Sequence, residues 1–258
     1  MGERTEYAPG TPSWVDIGSD VDAAKAFYGA LFGWEAEDAG PVEETGGYGL
    51  FRKGGKLVAG YGPKQAPGPP YWTTYVSVAD ADETAAKVRQ AGGSVLMEPG
   101  DVFTAGRMAV FADQQGAPFS VWQPQDHIGA ELVNEPGSFS WNELNTRDVA
   151  GSLAFYTAVF GWGSQTHEMP TGSYSELKLG DRSIAGLIDM TGRVPDEVPA
   201  HWMVYFSVED CDASITKAKD LGGSVVVGPF DLPIGRFAVV RDPQGAHFAA
   251  IRLNHVRG

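Results

Sequence analysis

The chain has 258 residues, a formal net charge of −14, 43% hydrophobic residues and a single cysteine. That length fits two compact domains of ~100–150 residues each. No apolar run of about 18 residues exists to span a membrane, and the acidic balance argues against nucleic acid, which needs clustered Lys and Arg.

With one cysteine, Cys211, an internal disulfide and a cysteine-cluster metal site are excluded, and the thiol is expected to be a small packing group at a helix start. The opening residues MGERTEYAPGTPS lack a basic start leading into an apolar core, so no secretory signal is read and the cytoplasm is the expected location.

In chain order, residues 13–34 read SWVDIGSDVDAAKAFYGALFGW. Trp14, Asp16 and Gly18 alternate with Val15 and Ile17, which predicts a strand with one face in a core and the other toward a cavity or solvent. Asp20 or Asp22 can cap the following helix. Ala23, Ala26, Phe27, Ala30 and Leu31 share one helical face, and Gly33 ends it.

Tyr48 to Arg52 and Leu57 to Tyr61 are short strands joined through Gly54-Gly55. Pro63 to Pro70 is a connection. A strand over Trp72 to Val78, a helix over Ala79 to Ala91 ending in Gly92-Gly93, and a strand opening at Ser94-Val95 follow. Strands Arg107 to Ala112 and Phe119 to Gln123 flank the turn Asp113-Gln114-Gln115-Gly116. Residues 124–138, with two Pro and two Gly, read as a linker.

The series then repeats. Residues 140–162 read SWNELNTRDVAGSLAFYTAVFGW, so that Trp141 matches Trp14, Glu143 matches Asp16, and Phe155, Tyr156, Phe160, Gly161 and Trp162 match Phe27, Tyr28, Phe32, Gly33 and Trp34. Strands over Tyr174 to Leu179, Ser183 to Ile188 and Trp202 to Val208, a helix over Glu209 to Leu221, and strands flanking Asp242-Pro243-Gln244-Gly245 complete the second copy. A repeat this long outranks any single motif. The predicted fold class is α+β, with tandem βαβββ modules and domains at residues 13–124 and 139–253.

The run AFYTAVFGW, the stretch Tyr205-Phe206-Ser207-Val208-Glu209-Asp210 and the DPQG turn at 242–245 resemble the vicinal oxygen chelate superfamily. Its members include glyoxalase I, bleomycin-resistance proteins, fosfomycin-resistance enzymes and extradiol dioxygenases. The first copy carries the weaker forms AKAFYGALFGW and DQQG. The resemblance implies two glyoxalase/bleomycin-resistance-type domains whose eight strands curl into open cups. It also implies a divalent ion held by His, Gln or Glu on the first strand, on the strand opening the second module, and on the last strand.

Carried onto this chain, those positions are Trp14, Thr73 and Ser120, and Trp141, Met203 and Ala249. None is a good ligand for a hard cation. No metal and no other cofactor is therefore expected, and no catalytic residue is singled out.

Other polar groups share the parity of the cup face. The candidate ligand-binding residues are Trp14, Asp16, Thr73, Tyr75 and Ser120 in one copy, and Trp141, Glu143, His201, Met203 and Tyr205 in the other. A carboxylate, an imidazole and phenols in an aromatic cup can bind a polar ligand, act as acid and base, or form an irregular metal site. The alternative makes Asp16 and Glu143 structural, paired with Arg107 and Arg236. For His201, matched by Tyr71, the structural role is preferred; for Arg107 and Arg236, ion pairs with Asp101 and Asp231 are preferred over an anionic ligand. His127, His167 and His255 carry no ligand spacing.

The expected function is small-molecule binding of the bleomycin-resistance kind, in resistance, detoxification or secondary metabolism. The overall likeness is to the tandem glyoxalase-like proteins of mycobacteria and streptomycetes. The alternative is an enzyme of the same superfamily, a glyoxalase-like lyase or a tailoring hydroxylase. The expected partner is a small organic molecule, with the chain either a monomer holding an internal pseudo-dimer or a homodimer.

Overall fold

Alternation along strand β1 (Pro12–Ser19) sends Val15 and Ile17 into a core and turns Trp14 and Asp16 to the opposite face of the sheet. The computed structural model describes residues 2–169 and 172–254. Helix α1 (Val21–Phe32) starts where the Asp20 carboxylate accepts the Ala23 N–H at 2.9 Å. It stops at Gly33, whose φ of 72° is left-handed and suits glycine.

β2 (Glu35–Asp38), the one-turn helix α2 (Val42–Thr45), β3 (Gly49–Lys53) and β4 (Lys56–Pro63) complete the first module. The second contains β5 (Tyr71–Ser77), α3 (Ala81–Gln90), β6 (Ser94–Val102), β7 (Gly106–Ala112) and β8 (Pro118–Pro124). The other half repeats the plan with β9 (Ser138–Thr146), α4 (Val149–Phe160), β10 (Gly163–Met169), β11 (Gly172–Leu179) and β12 (Arg182–Asp189). Then come β13 (His201–Ser207), α5 (Cys211–Asp220), β14 (Ser224–Leu232), β15 (Gly235–Arg241) and β16 (His247–Leu253).

Sequence reading passed over β2, β10 and α2. The reason is physical: β2 reads Glu-Ala-Glu-Asp and is exposed throughout, so it has no apolar alternation to announce it. Pairing with β3 alone makes it a strand.

Two eight-stranded sheets result, in the orders β2-β3-β4-β1-β5-β8-β7-β6 and β10-β11-β12-β9-β13-β16-β15-β14. Each sheet draws every strand from one half, so each cup is made by the two modules of the same half. β1 lies between parallel β4 and antiparallel β5, and β5 between β1 and parallel β8. This puts β1, β5 and β8, and likewise β9, β13 and β16, at the centre of each cup.

The cores do not respect the division into halves. Phe27, Tyr28, Phe32 and Trp34 pack with Val208, Cys211, Ile215, Phe206 and Phe248 of the other half, while Phe155, Tyr156 and Val159 of α4 pack with Val76, Ala85, Phe111 and Phe119. Each fully buried ring of this kind contributes roughly 1.5–3 kcal/mol.

At the centre of each shared core lies the same hydrogen-bonded chain. Trp72 Nε1 donates to Tyr28 Oη at 3.0 Å, and Tyr28 Oη donates to Asp242 Oδ2 at 2.9 Å. Trp202 Nε1 donates to Tyr156 Oη at 2.9 Å, and Tyr156 Oη donates to Asp113 Oδ2 at 3.1 Å. The other oxygen of each Asp accepts backbone N–H groups of its own turn, from Gln115 and Ala117 or from Gln244, Gly245 and Ala246. The motif pair FY and D-x-Q-G is thus explained as one buried tie between halves.

Among the described residues no helix is long and apolar enough to cross a membrane.

Candidate functional site

The strand registers bring the predicted residues together in two matching sets. In the first cup, Trp14 and Asp16 on β1 stand opposite Tyr75 and Thr73 on β5, and Ser120 on β8 stands opposite Tyr75. Tyr75 Oη donates to Asp16 Oδ2 at 2.7 Å, and Tyr48 Oη donates to the same oxygen at 3.2 Å. Tyr48 Oη in turn accepts from Trp14 Nε1 at 3.1 Å. Burial pushes the Asp16 carboxyl above the usual range, and hydroxyl donors from Tyr75, Thr73 and Tyr48 oppose that push.

In the second cup, Tyr205 Oη donates to Glu143 Oε1 at 2.8 Å, and Trp141 Nε1 donates to Tyr174 Oη at 3.1 Å. Met203 stands opposite Glu143, and Ala249 opposite Tyr205. Burial pushes the Glu143 carboxyl up to about 7, against the Tyr205 hydrogen bond and the positive charge of Arg193. The wall is aromatic: Tyr205 and Phe237 stack at 6.3 Å, and Phe237 meets Phe230 at 6.1 Å. Phe230 is 53% exposed.

Sequence reasoning missed Tyr48, Tyr174, Phe230 and Phe237, and the glycines that admit the first two. Gly60 lies beside Asp16 and Gly186 beside Glu143 on the neighbouring strands. A Cβ at Gly60 would collide with Tyr48 Oη, and one at Gly186 with Tyr174 Oη and, at 2.9 Å, with Trp141 Nε1. The signal was present in the repeat itself, since the two copies align Tyr48 with Tyr174 and Gly60 with Gly186.

Several expectations need correction. Arg107 and Arg236 do not pair with Asp16 and Glu143. Arg107 is held by Asp82 and Asp101, and Arg236 by Asp212 and Asp231, each at 2.8–2.9 Å. The preferred ion pairs with Asp101 and Asp231 are present, and the helix residues Asp82 and Asp212 complete each one.

His201 shares the cup parity of Met203 and Tyr205, but its Nδ1 lies 2.9 Å from the Pro199 carbonyl, and burial lowers its pKa. The Cys211 thiol is buried, and burial pushes it up to about 11. His255 lies outside the described residues.

His127 and Ala130 pack against β1 and β8. The His127 ring packs edge-on against Trp14 with centroids 4.6 Å apart and lies 5.5 Å from Trp122, whose Nε1 donates to the His127 carbonyl at 2.7 Å. Ala130, fully buried, donates its N–H to the Ser13 carbonyl at 2.8 Å. Burial lowers His127 to about 4, so the imidazole is neutral at physiological pH. Trp14 is only 3% exposed, whereas Trp141 is half-buried. A surface hollow of about 340 Å³ lies elsewhere, over Gly222, Ser224 and the Asp242–Gly245 turn, and includes neither Asp16 nor Glu143.

The side chains grouped by these strand registers, Trp14, Thr73 and Ser120 in one cup and Trp141, Met203 and Ala249 in the other, offer indole, hydroxyl, thioether and methyl groups. Among the described residues no three His, Cys, Asp or Glu side chains gather as a metal site. This donor set does not fit a hard divalent cation.

The paired cups, the repeated βαβββ modules and a family model for the glyoxalase/bleomycin resistance protein/dioxygenase superfamily, which matches residues 17–121 and 127–249, agree: the chain belongs to that superfamily. It is 44% identical to "Putative glyoxylase CFP32" of Mycobacterium tuberculosis, with 98% of each chain covered. It is 41% identical to "Anthracycline biosynthesis protein DnrV" of Streptomyces peucetius, covering 96% of this chain and 95% of that one.

Among solved structures, it is similar to the Mn(II)-bound glyoxalase from Novosphingobium aromaticivorans, with TM-score 0.65, 19% identity, and 98% and 83% of the two chains covered. It is also similar to the 2,3-dioxygenase LapB from Pseudomonas sp. KL28, with TM-score 0.66, 13% identity, and 96% and 94% covered. Those two likenesses concern the fold alone.

Proposed function

We propose that the chain is a small-molecule-binding protein of the glyoxalase/bleomycin-resistance type that works without a bound metal. Residues 13–124 and 139–253 serve as its two domains, in a monomer holding an internal pseudo-dimer or in a homodimer. The observation that carries this reading is a buried carboxyl hydrogen-bonded to a tyrosine phenol on the neighbouring strand, at Asp16 and again at Glu143, with no cluster of three His, Cys, Asp or Glu side chains among the described residues. Aromatic rings supply contact area, and a carboxyl with spare lone pairs fixes orientation. The likeness to chains named glyoxylase and anthracycline biosynthesis protein supports a role in detoxification or secondary metabolism.

Titrating a panel of aromatic and cationic small molecules against intrinsic Trp fluorescence tests the reading. Trp141→Ala is expected to weaken every ligand, and Glu143→Gln mainly those with a donor or a positive charge. Unchanged affinities in both variants would remove these residues from the site. Metal analysis after dialysis against a mild chelator is expected to find far less than one equivalent of Zn, Mn, Fe or Ni; a stoichiometric ion would contradict the proposal.

A second reading, an enzyme of the superfamily using acid–base chemistry, is supported by one observation. A carboxyl near 7 beside a phenol donor is half-ionised near neutrality, where a proton is most readily exchanged with a bound substrate. A product formed from a bound ligand by the unsubstituted chain and not by Glu143→Gln would favour it; no product from any bound ligand would remove it.

A further inference from the structure

The two cups follow one plan yet differ in how fully their carboxyls are engaged. Asp16 Oδ2 accepts both Tyr75 and Tyr48, and Thr73 adds a third hydroxyl donor. A carboxyl has about four lone-pair sites, so little acceptor capacity is left. Among the described residues Tyr205 is the one hydroxyl donor to Glu143, with the positive charge of Arg193 acting on the same carboxyl, and the Glu143 side chain is one methylene longer, so it reaches farther from its strand.

The cross-strand pair beyond each carboxyl differs as well. On β6 and β7 it is Gly100 opposite Met108; on β14 and β15 the same pair is Phe230 opposite Phe237. The second cup therefore gains a stepped row of rings, Tyr205, Phe237 and Phe230, running from a buried acceptor out to a solvent-facing ring. Among the described residues the first cup has no such row, and His127 and Ala130 cover Trp14 and the start of β1 instead.

We infer that the chain takes one ligand, in the second cup alone, and that this ligand is a flat fused-ring aromatic carrying a hydroxyl or amino donor. The inference rests on the binding function proposed above and narrows it. Rings favour flat aromatic partners in offset or edge-on contact, which a row of Phe and Tyr offers along its length. The carboxyl at its inner end accepts the donor, and Trp141, the cross-strand partner of Tyr205 and less covered than Trp14, adds an indole beside it.

Equilibrium dialysis with alizarin and with unsubstituted anthraquinone as probes tests it. The unsubstituted chain is expected to bind one equivalent of alizarin and to hold anthraquinone at least about tenfold more weakly, the effect of one hydrogen bond to a carboxylate. Glu143→Gln is expected to erase most of that preference, and Phe237→Ala to weaken both probes alike. Circular dichroism reports whether each variant is folded; Phe237 is half-buried, so its truncation leaves the core in place.

Two equivalents of alizarin would overturn the single-site inference and leave the binding function standing. So would one equivalent indifferent to both substitutions. Failure of alizarin to bind while a non-aromatic member of the wider panel does would overturn the ligand class. Failure of every probe would overturn both proposals.

Discussion

A carboxyl buried among rings is costly to ionise, and Glu143 carries that cost in the folded chain. Its pKa rises from an ordinary value of 4.5 to about 7, with desolvation as the leading cause. The folded state therefore holds a proton that the unfolded chain releases. Stability from this group is full below pH 4.5 and is lost as pH rises through 7, an effect of roughly 3 kcal/mol by the linkage relation. Glu143→Gln removes the penalty and keeps an amide oxygen for Tyr205. Urea unfolding should find the variant more stable than the parent at pH 8 by roughly 1–3 kcal/mol, and equal to it near pH 4. An unchanged difference across that range would mean the carboxyl ionises freely.

Among elements, the pairing of β4 with β1 and of β12 with β9 sets how close a phenol approaches the carboxyl. Gly186→Ala pushes Tyr174 Oη off its bond with Trp141. A phenol ring can swing, so the fold should survive with a loss of about 1–2 kcal/mol. Ligand affinity should fall more than stability does. Thermal unfolding and fluorescence titration of one preparation check this; an unchanged affinity would leave Tyr174 outside the site.

At this scale the sequence was most legible where burial imposed a period. β1, α1 and their repeats announced themselves through Val15, Ile17, Phe27 and Phe155, and Gly33 and Gly161 through their stop positions. Asp16 and Glu143 were legible from parity alone. Tyr48, which bonds Asp16, and Tyr174, which bonds Trp141, were not, because they reach the cup across an intervening strand whose register no local pattern fixes. The role of His127 was hidden for a related reason: its partner Trp14 lies far away in sequence, and linker composition says nothing about what a loop covers.

Over the whole molecule, the ties between halves predict one cooperative unit. Tyr28→Phe removes the acceptor of Trp72 Nε1 and the donor to Asp242, in a fully buried setting. It should cost about 1–3 kcal/mol, as should Tyr156→Phe. The two sites share no hydrogen-bond partner, so the double variant should add within about 0.5 kcal/mol in denaturant midpoints. Residues 2–133 expressed alone should stay unfolded by circular dichroism, since Phe32 and Trp34 pack on Phe206 and Phe248. A folded fragment would show that each half completes its own core.

The same interleaving orders events as the chain leaves the ribosome. The core around Phe119, Phe155 and Tyr156 uses residues 76 to 202, the middle of the polypeptide. The other core joins Trp14 and Tyr28 to Phe248 and Ala250, and the Tyr28–Asp242 bond spans 214 residues. Synthesis thus finishes the inner core first, while the first helix made must wait for the last strand. Until then α1 keeps Phe27, Tyr28 and Phe32 uncovered, and a nascent chain stalled before β16 offers that apolar surface to a chaperone.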